Sequence, residues 1–149
     1  MNILVINGPN LNLLGERQTD IYGENTLEEL MMWLETSADG QNHNFKFYQS
    51  NHEGTIIDSI HDEREWADGI IINAGAFSHY SYAIRDAISS VDINTVEVHL
   101  SNIMEREDFR KISVLKDNHT FIRDVWTSVN HSIIILLSCL LIQLHVSKI

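Results

Sequence analysis

Glu97 and His99 occupy alternate positions in the run Val96-Glu97-Val98-His99-Leu100-Ser101. If that run is extended, Glu97, His99 and Ser101 share one face and the apolar residues share the other. A carboxylate two residues from a histidine can accept the proton of one ring nitrogen, fixing the tautomer, while the other nitrogen works as acid or base. The same pair could instead be structural, satisfying itself inside a sheet. A second pair, Arg17 and Tyr22, stands five residues apart after the Asn-rich stretch Asn7-Gly8-Pro9-Asn10. A phenol is a poor base, ionised to only about a thousandth at neutral pH, but a close guanidinium favours the phenolate. One short segment carrying both suggests proton abstraction; a packed tyrosine beside a solvated arginine fits the two residues equally well.

Further candidates lie where apolar runs end. Asn7 and Asn10, then Gln49, Ser50 and Asn51, then Asn73, are amides or hydroxyls able to orient water or donate to an oxyanion. Asparagines also make turns, and that role is equally open at each. His79, after Asn73-Ala74-Gly75-Ala76, could bond a substrate hydroxyl. Arg106 and Arg110 would share a face of a helix, and Arg110 with backbone N–H groups near Leu100 and Ser101 could hold a carboxylate. Pairing with Glu105, Glu107 and Asp108 is the alternative, more so for Arg106.

Other chemistries lack residues. The histidines show no metal-ligand spacing, so no metal is expected. Neither the dinucleotide nor the P-loop glycine pattern occurs, and there is no nucleophile elbow.

The positioning elements follow from periodicity. Apolar runs at 3–6, 45–48, 70–72 and 96–100 alternate with helical patterns, which predicts a parallel α/β sheet. Thr26 and Glu29 form a capping box, with Leu27, Leu30, Met31 and Leu34 on one face and an end near Asp39-Gly40. A second helix is expected over 55–67, with Ile56, Ile57 and Ile60 inward and the charged run 62–65 outward. A third should start at Ser78 or just after, burying Ala83, Ile84, Ala87, Ile88 and Val91, with Asp86 off that stripe. Asp86 is then either solvated or presented to a neighbouring subunit.

A chain of 149 residues fits one domain. The net charge of −11, with 10 basic against 21 acidic residues, argues against a nucleic-acid partner. A single cysteine, Cys139, excludes an internal disulfide and favours a reducing, cytoplasmic setting. The opening residues carry no basic leader pattern, and the apolar run 133–142 is about half a membrane helix, so no membrane partner is expected.

Over residues 2–117 the chain resembles the type II 3-dehydroquinate dehydratases. Three blocks carry the resemblance: Ile6-Asn7-Gly8-Pro9-Asn10-Leu11 with Arg17 and Tyr22; Gln49-Ser50-Asn51-His52-Glu53-Gly54; and Asn73-Ala74-Gly75-Ala76 with His79, Arg85-Asp86, Glu97 to Asn102, Arg106, Phe109 and Arg110. The resemblance implies a flavodoxin-like fold and conversion of 3-dehydroquinate to 3-dehydroshikimate and water in the shikimate pathway. Tyr22 would be the base and Arg17 its activating cation. Asn10 would hold a water at the enolate oxygen, and His99, oriented by Glu97, would be the acid. Asn73, His79, Leu100, Ser101 and Arg110 would bind substrate, and Asp86 would serve the site of an adjacent subunit in a homododecamer built from trimers. No cofactor is implied. Gly15 and Gly23 bracket the segment with Arg17 and Tyr22, which is expected to act as a lid.

After Asp117 the resemblance ends. Residues 118–149 contain no glycine, where the family closes with a glycine-rich segment, a last strand and a helix. A shifted reading frame near 118 would account for this, and loss of an edge strand and its covering helix is the expected consequence. Core 1–117 and divergent segment 118–149 are read as one domain. Two other readings stay open: a flavodoxin-like module binding a flavin or nucleotide, and an inactive relative with a damaged C-terminus.

Overall fold

In the computed structural model the described residues are 1–16, 24–37, 40–115 and 120–124, the last as backbone only. Arg17, Tyr22, Gly23, Asp39 and Cys139 lie outside them, as does the apolar run 133–142.

Five parallel strands, β1 (Asn2–Asn7), β2 (Asn44–Gln49), β3 (Gly69–Asn73), β4 (Thr95–His99) and β5 (Thr120–Asp124), are ordered β2-β1-β3-β4-β5. The helices are α1 (Leu27–Thr36), α2 (Glu53–Asp62) and α3 (Tyr82–Ser90). This is the flavodoxin-like order, in which the chain runs outward from β1 to β2 and returns to β3 on the other side. The reversal leaves a crevice beyond the carboxyl ends of β1 and β3, where Asn7 and Asn73 are register partners.

Both faces of the sheet are covered, which is why β1 and β3 read as apolar runs and why β4 is buried along its whole length even at Glu97 and His99. Leu4, Ile6, Ile70 and Ile72 pack with Ile56 and Ile60 of α2 and with Ile84 and Ile88 of α3. On the other face Ile3, Val5, Ile71, Val96 and Val98 pack with Leu34 of α1. Each fully buried aliphatic side chain stabilises the fold by about 1.5–3 kcal/mol before entropy is counted.

The Thr26–Glu29 capping box forms: Thr26 Oγ1 accepts from the Glu29 amide at 3.2 Å, and Glu29 Oε2 accepts from the Thr26 amide at 2.9 Å. The helix it starts buries Leu30 and Leu34 and ends at Thr36, short of the Gly40 expected from the sequence.

Five expectations are corrected. The third helix does not begin at Ser78, because Gly75–His79 is a 3-10 turn; Ser81 is the cap, accepting from the Ile84 amide at 3.0 Å. That start leaves Ala83 exposed, while Ile84, Ala87 and Ile88 are buried as expected. The second helix spans Glu53–Asp62 rather than 55–67, and the run 62–65 does not all face outward. Glu63 is buried, since Lys46 pairs with one carboxylate oxygen and Tyr48 Oη donates to the other at 2.6 Å. The fifth correction is at the C-terminal side, where residues 120–124 supply a parallel edge strand beside β4. The position of a final strand is therefore filled despite the unfamiliar sequence.

No helix among the described residues is long and apolar enough to cross a membrane.

Candidate active site

A cleft of about 140 Å³ opens at the strand-end crevice, lined by Asn10, Asn73, His79, His99, Leu100, Ser101, Arg106 and Arg110 together with the Pro9 and Gly75 turns. Its floor depends on close backbone approach. The Gly8 amide donates to the Asn73 carbonyl at 2.7 Å, and a Cβ on Gly8 would lie 2.3 Å from the Ala74 carbonyl oxygen. Gly75 has φ +58°, a conformation that strains residues with a Cβ.

Asn10 also has positive φ, +66°, which asparagine tolerates better than most residues. Its amide donates to Asn51 Oδ1 at 2.8 Å, and Gln49 Nε2 donates to the same oxygen at 3.3 Å and to the Gly8 carbonyl at 3.2 Å. The amides ending β2 thus hold the loop that presents Asn10. Asn73 is buried, and its Oδ1 accepts from the Gly75 amide at 3.2 Å.

Glu97 and His99 lie on one face of β4, as alternation requires. Glu97 is wholly buried and His99 nearly so. His99 Nε2 sits 2.9 Å from Glu97 Oε1, in a close contact oblique to the ring N–H rather than along it. The His99 ring stacks against that of His79, with centroids 6.2 Å apart and planes at 15°. His79 Nδ1 bonds the Ile112 carbonyl at 2.9 Å. Burial holds His79 below the usual histidine range; the Ile112 carbonyl opposes this, His99 and Arg110 reinforce it, and Glu97 opposes it again. The shift favours the uncharged His79 ring beside the Glu97–His99 pair.

The arginines reach the cleft without sharing a helix. Residues 103–110 form two 3-10 turns, Ile103–Glu105 and Asp108–Arg110, with Arg106 extended between them. Glu107 gathers both: its Oε2 lies 3.1 Å from Arg110 Nε and 3.5 Å from Arg106 Nε. The Glu107 carboxyl is held below the usual carboxylate range by a bond to its own backbone and then by the two guanidinium groups. Arg106 also donates to Ser101 Oγ at 3.3 Å.

The structure thus brings Asn10, Asn73, His79, His99, Leu100, Ser101 and Arg110 around one cleft, with Glu97 behind His99. Asp86 stands apart, exposed on α3. Sequence reading overlooked Ser113, whose hydroxyl donates to Glu97 Oε2 at 2.6 Å. Neither alternation nor a local motif marks it, since it folds back across 16 residues. Among the described residues no group of three histidine, cysteine or acidic side chains is placed to hold a metal ion.

Comparison with known proteins is consistent along most of the chain. The family described as dehydroquinase class II matches residues 1–122, five residues past the point where the motif resemblance fades. A 3-dehydroquinate dehydratase of Caldicellulosiruptor saccharolyticus is 60% identical over 114 residues, covering 76% of this chain and 79% of the relative. One from Bacillus licheniformis is 53% identical over 114 residues, with the same coverage of 76% and 79%. The crystal structure of type II dehydroquinase from Butyrivibrio crossotus superposes with a TM-score of 0.83 at 46% identity, covering 94% of this chain and 97% of that one. The chain belongs to the class II dehydroquinases.

Proposed function

We propose that this chain dehydrates 3-dehydroquinate to 3-dehydroshikimate and water, a hydro-lyase step of the shikimate pathway, through an enolate. The observation that carries the reading is the buried Glu97–His99 pair, set at the wall of a cleft that also presents amides and Arg110.

The chemistry needs one base, one acid and enolate stabilisation. Tyr22, activated by Arg17, removes the proton from C2, and the electron pair forms an enolate at the neighbouring ketone. A water held by Asn10 stabilises the enolate oxygen. Collapse of the enolate expels the C1 hydroxyl, which His99 protonates so that it leaves as water, giving a conjugated enone. Glu97 Oε1 faces Nε2 of His99 at 2.9 Å, which supports the reading that the carboxylate orients the ring that delivers the proton. Arg110 takes the ring carboxylate, while Asn73, neutral His79, Leu100 and Ser101 bind at the hydroxyls and carboxylate. The scheme calls for no cofactor or metal.

The exposed position of Asp86 on α3 suits a contribution to a neighbouring subunit's site, so the working form is read as a homo-oligomer, a dodecamer by family analogy. Cytoplasmic location fits a lone cysteine and a small polar substrate. Residues 1–117 are read as the dehydroquinase-type core and 118–149 as a divergent segment of the same domain, a reading supported by the pairing of β5 with β4.

The test is direct. Purified protein mixed with 3-dehydroquinate should generate the ultraviolet absorbance of the enone, and Tyr22→Phe and His99→Ala should each lose most of it. A flavin- or nucleotide-binding module would show no such product. An inactive relative would give none even at high enzyme concentration.

A further inference from the structure

The second oxygen of the Glu97 carboxylate is also spoken for. Ser113 Oγ donates to Oε2 at 2.6 Å, while Oε1 faces His99 Nε2 at 2.9 Å. The serine oxygen in turn accepts from the Leu115 amide at 3.2 Å, and Leu115 is fully buried in the core beside α2 and α3. Two neighbouring bonds fasten the same strap: His79 Nδ1 to the Ile112 carbonyl at 2.9 Å, and the Val114 amide to the Ser78 carbonyl at 2.8 Å. Ser113 does not line the cleft and meets the site through Glu97.

A carboxylate cut off from water needs partners on both oxygens, because an unmet buried acceptor is costly. The terminal carboxylate torsion is also broad and roughly two-fold, so a partner on one oxygen alone leaves the plane loosely set. With a rigidly anchored donor on Oε2, the plane is fixed and Oε1 is aimed at the imidazole.

We propose that Ser113 is a positioning residue for the reaction: its hydroxyl fixes the Glu97 carboxylate, and through it the orientation of the His99 ring, in a hydroxyl–carboxylate–imidazole chain. The inference rests on the dehydration reading of the site.

The experiment compares wild type, Ser113→Ala, Ser113→Thr, Glu97→Gln and the Ser113→Ala/Glu97→Gln double variant on 3-dehydroquinate, with thermal melts of each. Ser113→Ala should lower kcat about tenfold, the size of one charge-assisted hydrogen bond, with KM nearly unchanged. Ser113→Thr should recover most of the loss. In the Glu97→Gln background the alanine should add less than about twofold, since both changes break the same chain. An unchanged kcat in Ser113→Ala, or a full independent loss on top of Glu97→Gln, overturns the proposal. If wild type shows no turnover, the dehydration reading fails, and ¹⁵N spectra of the His99 ring decide the positioning alone. Ring signals altered by Ser113→Ala support it; identical signals refute it.

Discussion

His99 Nε2 and Glu97 Oε1 stand 2.9 Å apart at a site where the carboxylate has no solvent exposure at all. A group so placed acts on the ring rather than on solvent, which gives the pair separable roles. His99→Ala should lower kcat by about 10²–10⁴, the usual span for a general acid. Glu97→Gln keeps the volume but loses the charge, and should lower kcat less while leaving KM within about threefold. Steady-state kinetics on the two variants check the ordering; equal losses, or a loss confined to KM, would contradict it.

Arg110 is the cation assigned to the ring carboxylate. Arg110→Ala should raise KM by about tenfold or more, and Arg110→Lys should recover little, because an ammonium lacks the planar fork that grips a carboxylate. Initial-rate measurements over a range of substrate concentration test this. A kcat effect without a KM effect would move Arg110 out of the binding role.

Glu63 sets an acid limb of stability. Its carboxyl is held below the usual carboxylate range first by Lys46, then by Tyr48 Oη, with burial opposing both. A depressed folded-state pKa means the stabilisation is fully present above the unfolded carboxylate value and is lost as pH falls through the lower folded value. Glu63→Gln should therefore cost about 1 kcal/mol at pH 7, and the gap from wild type should shrink as pH drops below about 4. Tyr48 runs the other way: its pKa is raised, chiefly by its bond to Glu63. The neutral phenol's contribution is thus complete below pH ~10 and lost as pH climbs through the higher folded value. Chemical denaturation at several pH values measures both limbs.

His79 should titrate below a free histidine, since burial is the main cause of its depression. Protonation is easier in the unfolded chain, so stability should decline as pH falls from about 6.5 toward the lower folded value. His79→Asn should flatten that decline in denaturation curves taken at pH 7.5 and 5.5.

Gly8→Ala should be among the more damaging single changes, by about 2 kcal/mol or more, because its Cβ would meet the rigid Ala74 carbonyl at 2.3 Å. Thermal melts test the cost.

The parts of the molecule legible in the sequence are those set by neighbours in the chain. The Thr26–Glu29 box and the shared face of Glu97 and His99 depend on spacings of three and two residues, and both appear as read. The strand runs announce themselves because both sheet faces are buried. What escaped reading is set by distant chain. Glu63 looked like one member of a solvated run until Lys46 and Tyr48 met it across 17 and 15 residues. Ser113 carries no local signal because its partner lies 16 residues back. The four-residue spacing of Arg106 and Arg110 suggested a helix, but Arg106 is extended, and the two are gathered by Glu107 instead.

The most direct test of the central claim is proton exchange at C2 of 3-dehydroquinate in D₂O, followed by NMR with wild type, His99→Ala and Tyr22→Phe. The account predicts that His99→Ala still exchanges the C2 proton while dehydration nearly stops, and that Tyr22→Phe loses both. Exchange abolished by His99→Ala but retained by Tyr22→Phe would contradict the assignment of acid and base.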